Sequence, residues 1–566
     1  MEKLKGSHNY QRLLIVLFYL VISIIMYEFY KRDFVWTGDD IYYQFQRIMG
    51  LSTNFTDGLL ASNLSVMNFG KIGYGVNIFY PWLTLIPFKL IFQFTNNWIS
   101  AYYLGLLFYF FVSFLISHYS MKKFSGSTKV AMMFSIIYNL SIYRLIDLFT
   151  RGAVAEYLAT IFLPLCFLGF YEIFFGDGKQ WKPLAIGMSL VIFSHVLSTF
   201  MCVIIFTLLL IFFSPKLKLT KERLLNFVKA VITTVGATLI FTIPFLMEEL
   251  FQKYGVPDKQ ILKGQDLGKL LSESLINNSR KVVENNLYNV GLTMLIAIVL
   301  GLIIFRKFDF KYKAIYVIFV ASLLLTTELV PWHIFQNTPI EVIQFPYRFL
   351  MFTTLFGSVI LAQALNVIFS GQMTKQFPIV LGVLTIINGG LWMQSVNYGA
   401  SGEVLASPKS YISQKMINDN AIPDSYLTQY IPVVGLSKAD TVIQHQLFVN
   451  DQQSIQIPAV KGHTNEFYLD NIKKGDKIDL PYVRYKYTKA NFNGHKVSIS
   501  LSKRGSVQVI APKTAKKVVI QLSYGNRKLF AGAAILSALT WIYLLFSKYL
   551  FLGYKKFRVY RKSSSV

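Results

Sequence analysis

The sequence predicts an α-helical polytopic membrane protein of about 12 transmembrane helices, with a small extracellular β-rich domain inserted before the last helix. Three observations lead there. First, 54% of the 566 residues are hydrophobic and only 15% are charged. A soluble chain carries about 25% charged residues, so this one lacks the polar surface to cover itself in water. Second, apolar runs of roughly 20 residues, the length a bilayer requires, recur along the chain. Third, every short loop that these runs place in the cytoplasm is basic, as the positive-inside rule expects. The composition and the mean hydropathy of +0.45 exclude a soluble enzyme, a disordered chain and a fibrous protein. The net charge of +27 is therefore read as membrane topology, not as a nucleic-acid surface.

The runs fall at 13–30, 99–119, 128–145, 157–175, 183–197, 199–213, 226–247, 289–305, 314–330, 349–369, 377–395 and 529–551. The first follows Lys3, Lys5 and Arg12, lacks a small-residue cleavage site and runs directly into Lys31 and Arg32. It reads as an uncleaved first span. The region 183–213 must hold a tight hairpin turning near Ser194 to Thr199. The run 78–94 holds Pro81, Pro87 and Lys89 and reads as juxtamembrane or re-entrant. The loops 1–12, 120–129, 176–182, 214–229, 306–313, 371–376 and 553–562 together carry 23 Lys and Arg. Counting 78–94 as a span would put Lys122 and Lys123 outside. Both termini are thus expected in the cytoplasm, with 31–98 and 396–528 extracellular. The chain divides into a membrane domain over 1–395, a β-rich domain over 396–528, and a final helix with a basic tail over 529–566.

The insert alternates apolar and polar residues, as in Val497-Ser498-Ile499-Ser500-Leu501, between turn signals such as Asn493-Gly494. Its 18 Lys and Arg against 9 Asp and Glu suit an anionic neighbour, lipid headgroups or a wall polymer; a solvated basic face is the plainer alternative. Cys166 and Cys202 lie inside apolar runs and read as small core residues.

Ionisable residues persist near a membrane at a cost, so those that gather at one depth are candidates for function. Four groups lie on the outer side. Gly38-Asp39-Asp40 opens a segment in which Asp40, Gln44 and Arg47 share one helical face. A carboxylate there can take a proton from an attacking hydroxyl, and the adjacent pair can hold a divalent cation; the alternative is an acidic helix cap. Tyr143-Arg144 leads to Arg151-Gly152 and Glu156, where Arg151 can grip phosphate or tie two helix ends to Glu156. His195 sits at the tight outer turn, as a packed histidine or as a group that orients phosphate. Gln344-Phe345-Pro346-Tyr347-Arg348 opens the tenth run, and Arg348 there either snorkels or meets a lipid phosphate. Glu328, His333 and Glu341 lie close by in sequence. No nucleotide-binding fingerprint is present, so an enzyme of this plan uses a substrate already carried in the membrane.

These segments, in this order, resemble bacterial GT-C-type membrane glycosyltransferases, and within them the YfhO-type proteins of low-GC Gram-positive bacteria. The resemblance covers roughly residues 10–395 and extends to the β-rich insert. Gly38-Asp39-Asp40 with Arg47, Gly73-Tyr74-Gly75 with Phe79-Tyr80-Pro81, Arg151-Gly152 with Glu156, and Gln344 to Arg348 carry it. It implies transfer of a sugar from a polyprenyl-phosphate donor to a cell-wall polymer, teichoic acid or glycolipid acceptor at the outer face. Asp39 or Asp40 would be the general base, and Arg348, Arg151 and His195 would face the donor phosphate. Arg47, Gln44, Glu156 and Tyr80 would line the substrate site. No metal or other cofactor is implied, although Asp39 and Asp40 leave a divalent cation open; nucleic acid is not an expected partner. A transporter or flippase for lipid-linked glycans, and a polysaccharide polymerase or ligase, are the alternatives.

Overall fold

The computed structural model describes residues 2–51, 63–217, 219–280, 288–370, 373–400 and 410–563. Parts of the expected loops, 52–62, 371–372 and 401–409, and the end of the tail at 564–566 lie outside them. The helices are α1 Glu2–Tyr30, α2 Ile41–Gly50, α3 Val76–Phe79, α4 Ile86–Thr95, α5 Trp98–Ser125, α6 Thr128–Asn139, α7 Ile142–Leu145 and α8 Val154–Phe174. They continue as α9 Lys182–Ser194, α10 Val196–Phe212, α11 Lys221–Glu249, α12 Leu267–Leu275, α13 Leu292–Ile303, α14 Phe310–Leu324, α15 Leu350–Ile368 and α16 Met373–Ala400. The insert adds α17 Gln414–Asn418 and α18 Ala439–Ile443, and α19 Arg527–Ser563 closes the chain.

Among the described residues seven helices are long and apolar enough to cross a membrane: Asn9–Tyr30, Trp98–Ser125, Val154–Phe174, Lys221–Glu249, Pro346–Ile368, Gln376–Ala400 and Arg527–Ser547. Local sequence fixes their ends. Asn97 accepts a hydrogen bond from the Ser100 N–H at 2.9 Å and caps α5, which stops at Gly126 with φ 73°. Ser127 then caps α6 through the Val130 N–H. This Lys-Lys-Phe-Ser-Gly-Ser corner is a left-handed C-cap followed at once by an N-cap. α8 lies innermost: 83% of its most apolar stretch is buried, against 22% for Arg527–Ser547.

The remaining apolar runs depart from the expected spans. The run 128–145 is not one helix. It breaks at Leu140 and Ser141, bends by 44°, and resumes as α7 and a π-helical turn over Ile146–Thr150. The break is local chemistry, because Arg144 is fully buried beside it and needs acceptors. Arg144 donates to Asn139 Oδ1 at 2.6 Å, Thr160 Oγ1 at 2.9 Å and Ser113 Oγ at 2.9 Å. The expected hairpin within 183–213 is two helices, α9 and α10, that meet at the single extended residue His195. α9, α10 and α13 are shorter than a full crossing, and so is Leu83–Thr95 within the 78–94 run. If the bent pair counts as one span, eight crossings stand by length and composition.

The insert is β-rich as expected. Two antiparallel five-stranded sheets have strand orders β10-β11-β7-β3-β4 and β5-β6-β12-β8-β9. Here β3 is Gln446–Val449, β4 Gln452–Ile455, β5 Ala459–Lys461, β6 Thr464–Ile472, β7 Lys477–Val483, β8 Thr488–Phe492, β9 His495–Val497, β10 Ile499–Leu501, β11 Ser506–Ile510 and β12 Ala515–Tyr524. Alternation places Ile478, Leu480, Val507 and Val509 from one sheet, and Phe467, Ile520 and Leu522 from the other, in one buried core. That core also takes in Phe69, Ile72, Tyr74 and Val76 of the segment 31–98. β1 (Val35–Trp36) pairs with β2 (Tyr411–Ile412), and the Val483 N–H donates to the Ile72 carbonyl at 2.9 Å. A Cβ on Gly73 would meet the Tyr482 ring at 2.2 Å. Loop and insert therefore pack as one body, fastened to α11 by buried Glu248. Glu248 accepts hydrogen bonds from Tyr254 OH at 2.6 Å, Tyr524 OH at 2.8 Å and the Lys486 N–H at 2.9 Å.

Candidate functional site

The acidic pair and Arg151 are brought together by backbone contact. The Asp40 N–H donates to the Arg151 carbonyl at 2.8 Å. This approach needs both flanking glycines. A Cβ on Gly38 would lie 2.6 Å from the Arg151 carbonyl carbon, and one on Gly152, held at φ +65°, would lie 2.7 Å from Ile41 Cβ. Gly38-Asp39-Asp40 and Arg151-Gly152 thus form one interlocked corner of the protein.

Around this corner opens a cavity of about 1100 Å³. Asp39, Asp40, Gln44, Tyr80, Arg151, Glu156, His195 and Arg348 all line it, although they come from five separate segments of the chain. Asp40 holds the cap position of α2, but its side chain makes no cap hydrogen bond. The acidic helix cap offered as the plain alternative is therefore not its role. Tyr426 OH donates to its carboxylate at 3.4 Å. Removal from bulk water raises the Asp40 pKa, the nearby Asp39 charge adds to this, and Arg151 opposes it. Asp39 accepts from Tyr288 OH at 3.0 Å. Burial pushes the Tyr426 phenol up to about 12 and raises that of Tyr288 well above its ordinary value, so both remain hydrogen-bond donors.

The arginines are already bound to carboxylates to different degrees. Arg151 Nη1 donates to Asp147 Oδ1 at 2.6 Å and to Glu156 Oε2 at 2.8 Å. It thus ties the two helix ends, the second of the two roles open to it from sequence, while still lining the cavity. Glu156 is 1% exposed. It pairs with Arg348 Nε at 3.5 Å and accepts from Tyr143 OH at 3.4 Å, so it positions the arginines and presents little surface to a substrate. Arg348 also donates from Nη1 to the Ile343 carbonyl at 3.2 Å and Gln344 Oε1 at 3.1 Å. Gln344 is held at φ +61°, a conformation that costs a residue with a side chain about 1–3 kcal/mol and that tends to mark functional sites. His195 bonds Ser198 Oγ through Nδ1 at 2.8 Å and lies against the Tyr80 ring, centroids 5.9 Å apart.

Arg47 departs from the expected substrate-facing role. It lies behind the cavity wall, 3.9 Å under the Tyr80 ring, bonded to Gln44 Oε1 at 2.7 Å and to the Pro81 carbonyl. The shared face of Asp40, Gln44 and Arg47 is real, but its last member props Tyr80 and Gln44 from behind. Glu328 and His333 are not among the lining residues, whereas Glu341 is, paired with Lys259 at 3.1 Å.

Sequence reasoning placed Tyr347 in its motif without a role and passed over Tyr288, Tyr426 and Tyr430; all four line the cavity or bond to its acids. Tyr426 and Tyr430 belong to the insert, nearly 390 residues from Asp40, and no local pattern announces them. Asp147 had a signal, since it stands four residues before Arg151, at the spacing of a helical ion pair. Among the described residues no group of three or more His, Cys, Asp or Glu gathers as a metal site.

No family model matches the chain. It is similar to a protein of Lactococcus lactis subsp. cremoris (strain MG1363) described as uncharacterized, at 23% identity over 595 residues that cover 95% of each chain. The similarity thus runs through membrane helices and insert alike.

Proposed function

We propose that the protein is a membrane glycosyltransferase that moves a sugar from a polyprenyl-phosphate donor to a cell-wall polymer, teichoic acid or glycolipid at the outer face of the membrane. The observation that carries this reading is the convergence of Asp39, Asp40, Arg151 and Arg348 on one cavity. In this reading the short helices complete a GT-C-like set of about 12 crossings. Both termini are cytoplasmic, and 31–98 and 396–528 are extracellular.

An acceptor hydroxyl oxygen attacks the anomeric carbon of the donor. The new C–O bond forms as the bond to the phosphate oxygen breaks, and the electron pair leaves on the polyprenyl phosphate. The hydroxyl proton passes to a carboxylate. Asp40 is the better suited of the two acids, because its raised pKa makes it the stronger base and its bond from Tyr426, at 3.4 Å, is longer than that from Tyr288 to Asp39, at 3.0 Å. The anomeric carbon inverts, as one displacement requires. Arg348, less fully matched than Arg151, meets the departing phosphate. Arg151 and Glu156 hold Arg348 and the Asp40 backbone in register.

A divalent cation at Asp39 and Asp40 is a second reading. Arg151 and Arg348 are already paired with Asp147 and Glu156, so a donor phosphate gains from further positive charge. The two carboxylates would hold the ion, which would supply that charge.

The test compares wall polymers and glycolipids, by mass spectrometry, from cells with the gene, without it, and with Asp39→Asn plus Asp40→Asn at wild-type protein level. Loss of one hexose or aminosugar from both altered strains is the expected result. Unchanged glycans in both would refute the transferase. Glycans lost only in the deletion would leave transport of a lipid-linked glycan as the activity. Activity that falls after chelation and returns with magnesium or manganese would support the cation.

A further inference from the structure

The helices that carry the site at one end build a second cavity at the other. α8 begins beside Glu156 and α10 beside His195; their far ends, with those of α5 and α14, enclose a separate space of about 460 Å³. That lies within the range of about 300–1,000 Å³ of small-molecule sites. Its wall is almost wholly apolar, with Phe167, Phe170, Phe213 and Phe356 prominent. The charged residues that line it are Lys216, Arg223 and Lys311, all cationic. None of the three forms an ion pair with a carboxylate among the described residues. Arg223 is committed to the protein, donating to the Ile173 and Gly176 carbonyls at 2.6 Å. The two lysines are less engaged. Lys216 lies over the Phe310 ring at 5.6 Å, and Lys311 over Phe124 at 5.0 Å with one long bond, 3.5 Å, to the Phe124 carbonyl.

One polar side chain in this wall has no partner. Ser120 is 3% exposed, lines the cavity one turn inside Phe124, and its hydroxyl makes no hydrogen bond among the described residues. A buried hydroxyl left unmatched is destabilising, and a ligand oxygen at that depth would relieve it. From the surface inward the cavity thus offers two ammonium groups, one orphaned hydroxyl, and then an aromatic and aliphatic slot.

We infer that this cavity is a binding site for a membrane phospholipid with an anionic headgroup, seated at the end of the helix bundle opposite the acid–arginine cavity. The phosphate lies against Lys216 and Lys311, an ester oxygen accepts from Ser120, and one acyl chain fills the slot between α8, α10, α14 and α15. A zwitterionic lipid places its own cation against the same lysines and binds less well. The inference rests on this cavity alone and stands whether or not the protein is a transferase.

The full-length protein, delipidated in detergent, is titrated with phosphatidylglycerol or with phosphatidylcholine of the same acyl chains, and bound lipid is counted by native mass spectrometry. Wild type is expected to hold one phosphatidylglycerol in preference to phosphatidylcholine. Each lysine near an anionic lipid contributes about 1 kcal/mol, so Lys216→Ala with Lys311→Ala weakens retention about tenfold or more. Ala314→Phe, which fills the slot from α14, displaces the lipid while both lysines remain. Equal retention of the two lipids by wild type would overturn the inference. So would retention unchanged in both variants, or displacement of the lipid by glycerol 3-phosphate alone, which would mark a site for a soluble anion.

Discussion

Replacing Glu248 by alanine removes a buried acceptor through which α11 holds the insert. Three donors lose their partner: Tyr254 OH, Tyr524 OH and the Lys486 N–H. Each buried donor left unmatched costs about 1–3 kcal/mol. Tyr524 and Lys486 are only half-buried and recover part of this from water, so the expected loss is near the lower bound, about 3 kcal/mol. A tenfold change corresponds to about 1.4 kcal/mol, and cleavage that tracks the open population should then accelerate about a hundredfold. The assay is limited proteolysis of the insert in the detergent-solubilised protein, followed by the rate at which the intact chain disappears. Glu248→Gln keeps one acceptor oxygen and should lose about 1 kcal/mol, as should Tyr254→Phe. Proteolysis of Glu248→Ala at the wild-type rate would refute the joint and show that apolar packing alone holds the two parts together.

Three further outcomes are expected. If Asp40 is the base, it must be ionised to work, and its pKa is raised above the ordinary 3.8; kcat/KM for sugar transfer should therefore fall as pH drops through a value above that range. An acid limb at or below 3.8 would assign the proton to another group, and Asp40→Asn should cost about 10²–10⁴-fold. Gly152→Ala adds a Cβ 2.7 Å from Ile41 Cβ at φ +65°, and the strain plus overlap should cost about 2–4 kcal/mol, read as reduced thermal stability and yield. A fully stable Gly152→Ala would mean that the corner can open without penalty. Arg348→Ala should raise the KM for the lipid donor more than that for the acceptor, and equal effects on both would argue against a phosphate contact.

Much of the site could be read from the chain because its parts are local. Gly38 and Gly152 each stand beside the residue they deliver, so the motifs that drew attention are the ones that the close backbone approach requires. The arginines and Glu156 lie at the ends of apolar runs, where charge is conspicuous. The β character of the insert followed from alternation, since one face of each sheet is buried. What sequence could not show depends on partners far away. Tyr426 and Tyr430 reach the cavity only because the insert packs on the segment 31–98. The break in 128–145 was hidden because Arg144 is matched by Ser113, Asn139 and Thr160 from three helices, none of which looks like a counter-ion. Arg47 shares its helix face with the site, yet the Tyr80 ring that covers it belongs to a different segment.

The sharing of one hydrophobic core by the segment 31–98 and the insert also sets a schedule for biosynthesis. Val35 and its strand partner Ile412 are nearly 380 residues apart, and synthesis proceeds at about 5–20 residues per second. The early segment therefore waits about 20–75 s for the strands that complete it. Over that interval Phe69 and Tyr74 have each other and Tyr43 for cover, and the faces that the insert later buries stay open to chaperones and proteases. A chain truncated before the insert would lack Tyr426 and Tyr430 and leave the cavity without that part of its wall.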